Sequence, residues 1–175
     1  MPNFIDKTFF IGEISLPNTN DIKVSERLDV FIAKYEARCL TKILGYELYK
    51  KINEVSARMS ALRTGADYTN EYGIQCRWNG LFYNKNSLIA NYIFWFYIAS
   101  AAIQTTGVST GTMNTQAGQS ISPGEKMVSA WNFFSSEVNS MLSYLRANIG
   151  LYPEFHPNQF YITSNVARKT NILGI

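Results

Sequence analysis

One run of residues constrains this chain more than any other. LIANYIFWFYIASAAI, residues 88–103, is apolar on nearly every side when wound as a helix. A helix without a polar face must be covered by neighbours around most of its circumference, from the same chain or from another copy. The run is therefore predicted as a central buried helix. A bilayer is the other environment for such a run, but a span needs about 20 mostly apolar residues. This run is shorter and carries Asn91 and Ser100, so no membrane span and no membrane partner is expected.

Charge is scarce elsewhere too. Asp, Glu, Lys and Arg make up 17% of the 175 residues, against roughly a quarter in ordinary soluble domains. Aromatics reach 14%, with eleven Tyr and eleven Phe, a composition found in cores and equally where subunits meet. The net charge of +3 has mixed signs along most of the chain. That is too weak to argue for nucleic-acid binding from charge alone. The length suits one domain that can bury a core without disulfides or metals. Cys39 and Cys76 stand in no metal or redox spacing; Cys39 falls within an apolar helical pattern and reads as a buried thiol in a reducing compartment. The opening MPNFIDKTFFIGEISLP has acids inside it and does not read as a signal peptide.

Periodicity places helices on either side of the central run. Residues 4–17 alternate weakly up to Pro17 and suggest an extended arm or short strand. Ser25 is the expected N-cap of a first helix with Glu26 at its positive end. Leu28, Phe31, Ile32, Tyr35, Cys39 and Ile43 then recur at steps of three and four and build one apolar face. Gly45 is the predicted stop. A second helix is expected through Leu48, Ile52, Val55, Met59 and Leu62, ending near Gly65. Residues 64–75 read as irregular, and Trp78, Leu81, Phe82 and Tyr83 as a turn or short helix folded over the core. Ser122, Pro123 and Glu125 form a capping box with proline at the first helical position. The helix they open carries Met127, Trp131, Phe134, Val138, Met141 and Leu145 on a narrow stripe and is expected to end at Gly150. That stripe suits the core better than a coiled-coil partner, because all the helices need a common interior.

Two segments fit no element. Residues 104–124 have no charged side chain and contain Gly107, Gly111, Gly118 and Gly124. Connections of this length are uncommon in compact domains unless functional or disordered. The segment is read either as a floppy loop or as a projecting loop that orders against a neighbouring molecule. After Gly150, Pro153 and Pro157 exclude continued helix. The extended tail they open, residues 151–175, is rich in apolar residues and docks on its own domain or on a neighbour.

The expected architecture is thus all-α: one domain, residues 1–175, a four-helix-dominated bundle with an arm (1–21), a projecting loop (104–124) and a C-terminal tail (151–175). Leu28, Phe31, Tyr35, Leu48, Ile52, Ile93, Phe94, Trp131, Phe134 and Val138 are its expected core.

No chemistry is legible. His156 is the sole histidine and has no ligand-type neighbours in sequence, so neither a metal site nor a nucleophilic triad is built around it. Glu125, Glu137 and Glu154 are the only acids after Glu71 and carry no paired-carboxylate signature. The glycines of GVSTG and AGQSISPG lack the preceding strand and the Gly-Lys-Ser/Thr ending of a phosphate loop. Along the chain, no Lys/Arg cluster forms a nucleic-acid track. No catalytic residue, cofactor or metal is expected, and the chain reads as a non-enzymatic structural or interaction subunit.

Three segments carry a resemblance. LDVFIAKYEARCLTKILGYELYKKI, residues 28–52, resembles the start of the head-to-tail connector, or neck adaptor, proteins of tailed bacteriophages. SLIANYIFWFYIASAAIQTTGVST, residues 87–110, and SPGEKMVSAWNFF, residues 122–134, are similar to the version found in phages and prophages of the Bacteroides group. The resemblance implies a helical subunit of a virion neck ring, usually twelvefold, assembled in the bacterial host cytoplasm. Such a ring joins the portal to downstream tail or stopper proteins and encircles double-stranded DNA without reading its sequence. It further implies that Thr105, Thr106, Val108 and Met113 of the loop, and Phe155, Phe160 and Tyr161 of the tail, contact neighbouring subunits, the channel or the portal. Two other classes stay open: a helical interaction domain acting as monomer or dimer, and a small enzyme whose site is not recognised.

Overall fold

The structure, a computed structural model, describes residues 4–82, 85, 87–105 and 123–157. Among these the chain is mainly helical. The α-helices are α1 (Ile22–Leu44), α2 (Tyr46–Lys51), α3 (Ala57–Thr64), α4 (Leu88–Thr105) and α5 (Pro123–Ala147). A two-stranded antiparallel hairpin, β1 (Ala66–Thr69) and β2 (Gln75–Trp78), follows α3. The central run is α4, which packs against both α1 and α5. Its first half is sealed: Leu88, Ile89, Ala90, Ile93 and Phe94 are at most 1% exposed. Ser87 and Asn91 at this end are both hydrogen-bonded. Ser87 caps the helix, its Oγ accepting from Ile89 N and Ala90 N at 3.2 and 3.3 Å and donating to Leu81 O at 3.0 Å. Asn91 donates to Ser87 O at 3.0 Å.

α1 begins earlier than expected. Asp21, not Ser25, is its N-cap, accepting from Lys23 N at 2.9 Å and Val24 N at 3.3 Å. A carboxylate one turn upstream satisfies the free amides first, and Ser25 N already bonds to Asp21 O. The helix ends at Gly45, as the sequence predicts, with φ of 78° and its N–H on Thr41 O. The expected second helix is two. α2 stops at Lys51, and Ser56, in extended backbone, caps α3 through Met59 N at 3.4 Å. Arg63 donates to Ile52 O at 2.7 Å and so serves a carbonyl released by the break. Leu48, Ile52, Met59 and Leu62 are all buried across it, whereas Val55 stands in solvent.

The segment read as irregular is the hairpin. Asn70 shapes its tip by accepting from Tyr72 N and Ile74 N at 3.0 and 2.9 Å. Trp78 closes β2 over the core, fully buried, with its indole N–H on Leu62 O at 3.0 Å. Two glycines let the hairpin's base approach the end of α3. A Cβ on Gly80 would stand 2.5 Å from Arg63 O and 2.6 Å from Gly65 N, and one on Gly65 would stand 2.5 Å from Trp78 O.

Both chain-terminal segments differ from the extended forms expected. The N-terminal one makes two short 3-10 turns, Lys7–Phe9 and Gly12–Ile14, and buries Ile5, Phe10, Ile14 and Leu16. Glu36 of α1 holds it by accepting from Phe4 N at 2.9 Å and Ile5 N at 3.1 Å. Burial pushes that carboxyl above its ordinary value, against the pull of the two amides. At the other end, α5 stops at Ala147 rather than Gly150 and runs into a 3-10 turn, Ile149–Leu151. Residues 152–157 then dock on the chain's own domain. Tyr152 is fully buried, its hydroxyl 2.6 Å from Arg58 O and 2.9 Å from the Tyr144 hydroxyl. Glu154 accepts from Arg58 at 2.8 and 3.0 Å and from Lys51 at 2.7 Å.

Two outcomes follow. Gly80→Ala combines positive φ with a backbone clash, and is expected to lower unfolding free energy in urea by roughly 3 kcal/mol. Gly73→Ala, at φ of 76° but with nothing within 4 Å, is expected to cost only about 1 kcal/mol; equal losses would place the penalty in φ alone. The Arg58 guanidinium, aided by Lys51, holds the Glu154 carboxyl at about 2, below its ordinary 4.5. A depressed carboxylate contributes stability that is complete above the unfolded value and is lost as pH falls through the folded one. Glu154→Gln should therefore lose less stability than the wild type between pH 6 and pH 2.5, measured by urea midpoints at each pH.

Candidate interaction face

The cover over α4 fails in its second half. Residues 95–100 are half-buried at every position, although the helix is apolar all round. A helix exposed in this way presents apolar surface whichever way it is turned. α5 extends the surface: Met127, Val128 and Trp131 are half-buried as well. Trp95 and Trp131 join the two helices with ring centroids 5.3 Å apart, and Phe134 backs Trp131 at 5.3 Å. On the α1 side the rings run on without a break. Phe96 stacks on Tyr35 at 4.6 Å, Tyr35 on Phe31 at 5.4 Å, and Phe31 meets the edge of Tyr97 at 5.2 Å. These separations suit attractive ring pairing.

Cations cover the α1 part of this belt. Arg27 lies over Tyr97 at 5.5 Å and Phe31 at 6.0 Å, and its Nη2 stands 3.5 Å from Ser100 Oγ. Arg38 lies over Phe96 at 5.7 Å and Tyr35 at 5.9 Å, with Lys34 over Tyr35 at 5.1 Å. Each is within cation–π range. The α4–α5 part has no such cover: Trp95, Ile98 and Trp131 carry no charged group over them among these contacts. Beneath it lie Tyr92 Oη, Trp131 Nε1 and Ser135 Oγ, buried polar atoms with no partner among the described residues. Burial raises the Tyr92 phenol to about 12.

The expected site residues divide. Leu28, Leu48, Ile52, Ile93, Phe94, Phe134 and Val138 are in the core as expected. Phe31, Tyr35 and Trp131 are not; they are half-buried members of the belt, because their helices meet α4 along its uncovered half. Phe155, expected to contact a partner, is 2% exposed and belongs to the chain's own core, drawn in by Tyr152 and Glu154 on either side of Pro153. Thr105 is the last residue of α4. Thr106, Val108, Met113, Phe160 and Tyr161, with most of the expected loop and tail, lie outside the described residues.

The ionisable groups inside the fold hold structure together. Glu36 binds backbone amides, Glu154 binds two cations, and Cys39 is fully buried, its thiol pushed up by burial. His156 is exposed. Among the described residues no three His, Cys, Asp or Glu side chains come together as a metal site, and no helix is long and apolar enough to cross a membrane. The arrangement can recognise an apolar or anionic surface. No family model, curated protein or solved structure matches the chain.

Proposed function

We propose that this chain is a non-enzymatic subunit of a tailed-phage neck, a helix-bundle protein that closes into a ring, twelvefold as in the family it resembles. The ring joins the portal to downstream tail or stopper proteins around double-stranded DNA. The observation that carries the reading is the uncovered half of α4, residues 95–100, with Trp131 beside it. A subunit surface that is apolar, rich in Trp and flanked by Arg has the composition of an interface core rather than of free surface. A closed ring hides the same two complementary patches on every copy and leaves no open end, and the α4–α5 face is one such patch in this reading. The resemblance of residues 28–52, 87–110 and 122–134 to neck adaptors supplies the kind of assembly. The same face would also serve a monomeric or dimeric interaction domain, and oligomeric mass separates the two.

Light scattering coupled to size exclusion, on the protein alone and with its portal, tests the reading. The expected result is an assembly of about twelve 19.9 kDa subunits, formed alone or on the portal. Ile98→Asp, at a half-buried position, is expected to return the mass to that of one subunit while leaving the far-ultraviolet circular dichroism unchanged. A wild-type protein that stays monomeric and does not bind the portal would overturn the neck assignment and leave an interaction domain.

A further inference from the structure

The cations of α1 are not scattered. Lys23, Arg27, Lys34, Arg38 and Lys42 follow one another at steps of four, seven, four and four residues, with Phe31 filling the gap. At 100° per residue all five fall within about a third of the helix circumference, and they span about 28 Å of its length. The acids of the same helix, Glu26, Asp29 and Glu36, all lie outside that sector, and Asp21 is committed to the N-cap. α4, the helix packed alongside, has no charged residue between Leu88 and Thr105. Among the described residues none of the five cations pairs with a carboxylate, whereas Lys50, Lys51, Arg58 and Arg77 all do. Lys23, Lys34, Arg38 and Lys42 are exposed, and Arg27 is half-buried.

We infer that this stripe binds the phosphate backbone of double-stranded DNA without reading its sequence. A straight row of like charges, one per turn or two on a rigid helix, matches a polymer whose charge is regular along its length. A folded acidic protein carries carboxylates at irregular positions and would need no such row. Single strands are bound largely by stacking bases on free aromatic faces. Here the rings beside the stripe already hold the chain's own cations: Arg27 on Phe31 and Tyr97, and Lys34 and Arg38 on Tyr35 and Phe96. The guanidinium groups are thereby held in place and the ring faces are occupied, which favours phosphate contact over base contact. The inference deepens the neck-ring reading by naming the surface that would meet DNA. Arg27 and Arg38 also flank the proposed subunit contact on α4 and α5, so the two readings are separated with Lys23, Lys34 and Lys42, which lie over no ring of α4.

The test is fluorescence anisotropy of a labelled 20-base-pair duplex with the full chain and with its Ile98→Asp form, between 50 and 200 mM salt. Five phosphate contacts give a slope of log K against log salt of about −4.5, a loss of roughly 500-fold over that range. Lys42→Gln, which touches no ring, should reduce the slope by about 0.9, and Lys23→Gln/Lys34→Gln/Lys42→Gln by about 2.7. Lys50→Gln, on α2, should leave it unchanged. Binding by the Ile98→Asp form with the same slope supports the α1 stripe even if no ring forms. No binding at 50 mM, or a slope that the triple variant does not change, overturns the inference. So does tighter binding of a single strand of equal length, or equal displacement by polyglutamate at matched charge; the latter would give the stripe to an acidic protein.

Discussion

The rest of the structure depends on a helix that cannot face water on any side. α4 can be stable only where other elements supply its surroundings, and the chain supplies them unequally. Around Ile89, Ile93 and Phe94 the cover is complete. Taken over its whole length, α4 packs against α1, α5 and the N-terminal 3-10 turn at Gly12–Ile14. From Trp95 to Ser100 the helix stays apolar and every position is only half-buried. Burying a large apolar side chain is favourable by about 1.5–3 kcal/mol, so a row of half-buried rings leaves part of that gain unrealised in the isolated subunit. Cover is complete over residues 88–94 of α4 and partial over residues 95–100.

The finished end is secured by polar groups that come from far along the chain. Glu36 draws in backbone amides 31 and 32 residues upstream. Arg58 and Lys51 hold Glu154 from 96 and 103 residues away. Trp78 reaches the last turn of α3. A charged hydrogen bond in a partly buried site contributes about 1.5–3 kcal/mol, and loss of one partner leaves the other charge uncompensated. Glu36 and Glu154 are opposite cases of one carboxylate chemistry. Burial dominates at Glu36, which accepts only neutral amides, and its pKa rises. A bidentate Arg dominates at Glu154, and its pKa falls. Acid therefore acts on the two terminal segments with opposite sign: protonation is favoured where the N-terminal segment docks and opposed where the C-terminal one does.

What could be read from the sequence was what local periodicity carries. The inward faces of α1 and α5 rest on steps of three and four residues and stand in the structure except at Phe31, Tyr35, Met127 and Trp131, which are half-buried; the stop at Gly45 rests on its positive φ and the packing of α4 between α1 and α5 on its all-round apolar run. The break between α2 and α3 was hidden because Leu48, Ile52, Met59 and Leu62 keep helical spacing across it; only Val55, fully exposed, departs from the pattern. The hairpin was hidden because ADYT and QCRW are four residues each, too short for their strand-favouring Tyr68, Thr69 and Trp78 to show a clear alternation. What holds it is tertiary: Trp78 and Tyr68 pack on Tyr144, with centroids at 6.3 and 5.4 Å. Phe155 looked like a residue for a partner because a tail has no periodicity to report what it buries against. The interaction face was legible only in part. Its aromatics counted toward a core, since sequence shows that a helix is apolar and does not show where its neighbours end.

The α1 stripe was legible and needed only a different projection. Read along the chain, Lys23 to Lys42 alternate with Glu26, Asp29 and Glu36 and look mixed. Read around the helix, the signs separate, because steps of three and four return to one face while the acids fall between them. The same geometry explains why Phe31 and Tyr35 are half-buried: they lie at the line where the charged sector meets the apolar one, and a cation over each ring shields it from water without burying it. α1 thus divides its surface between two different tasks, covering α4 with Leu28, Ile32 and Cys39 and presenting an unpaired row of charge on the adjoining side. A helix that served only the core would have no need to keep its cations on one side and free of carboxylates. Interspersed signs with i,i+4 pairs would stabilise it better, and the departure from that arrangement is the physical reason to look for an anionic partner there.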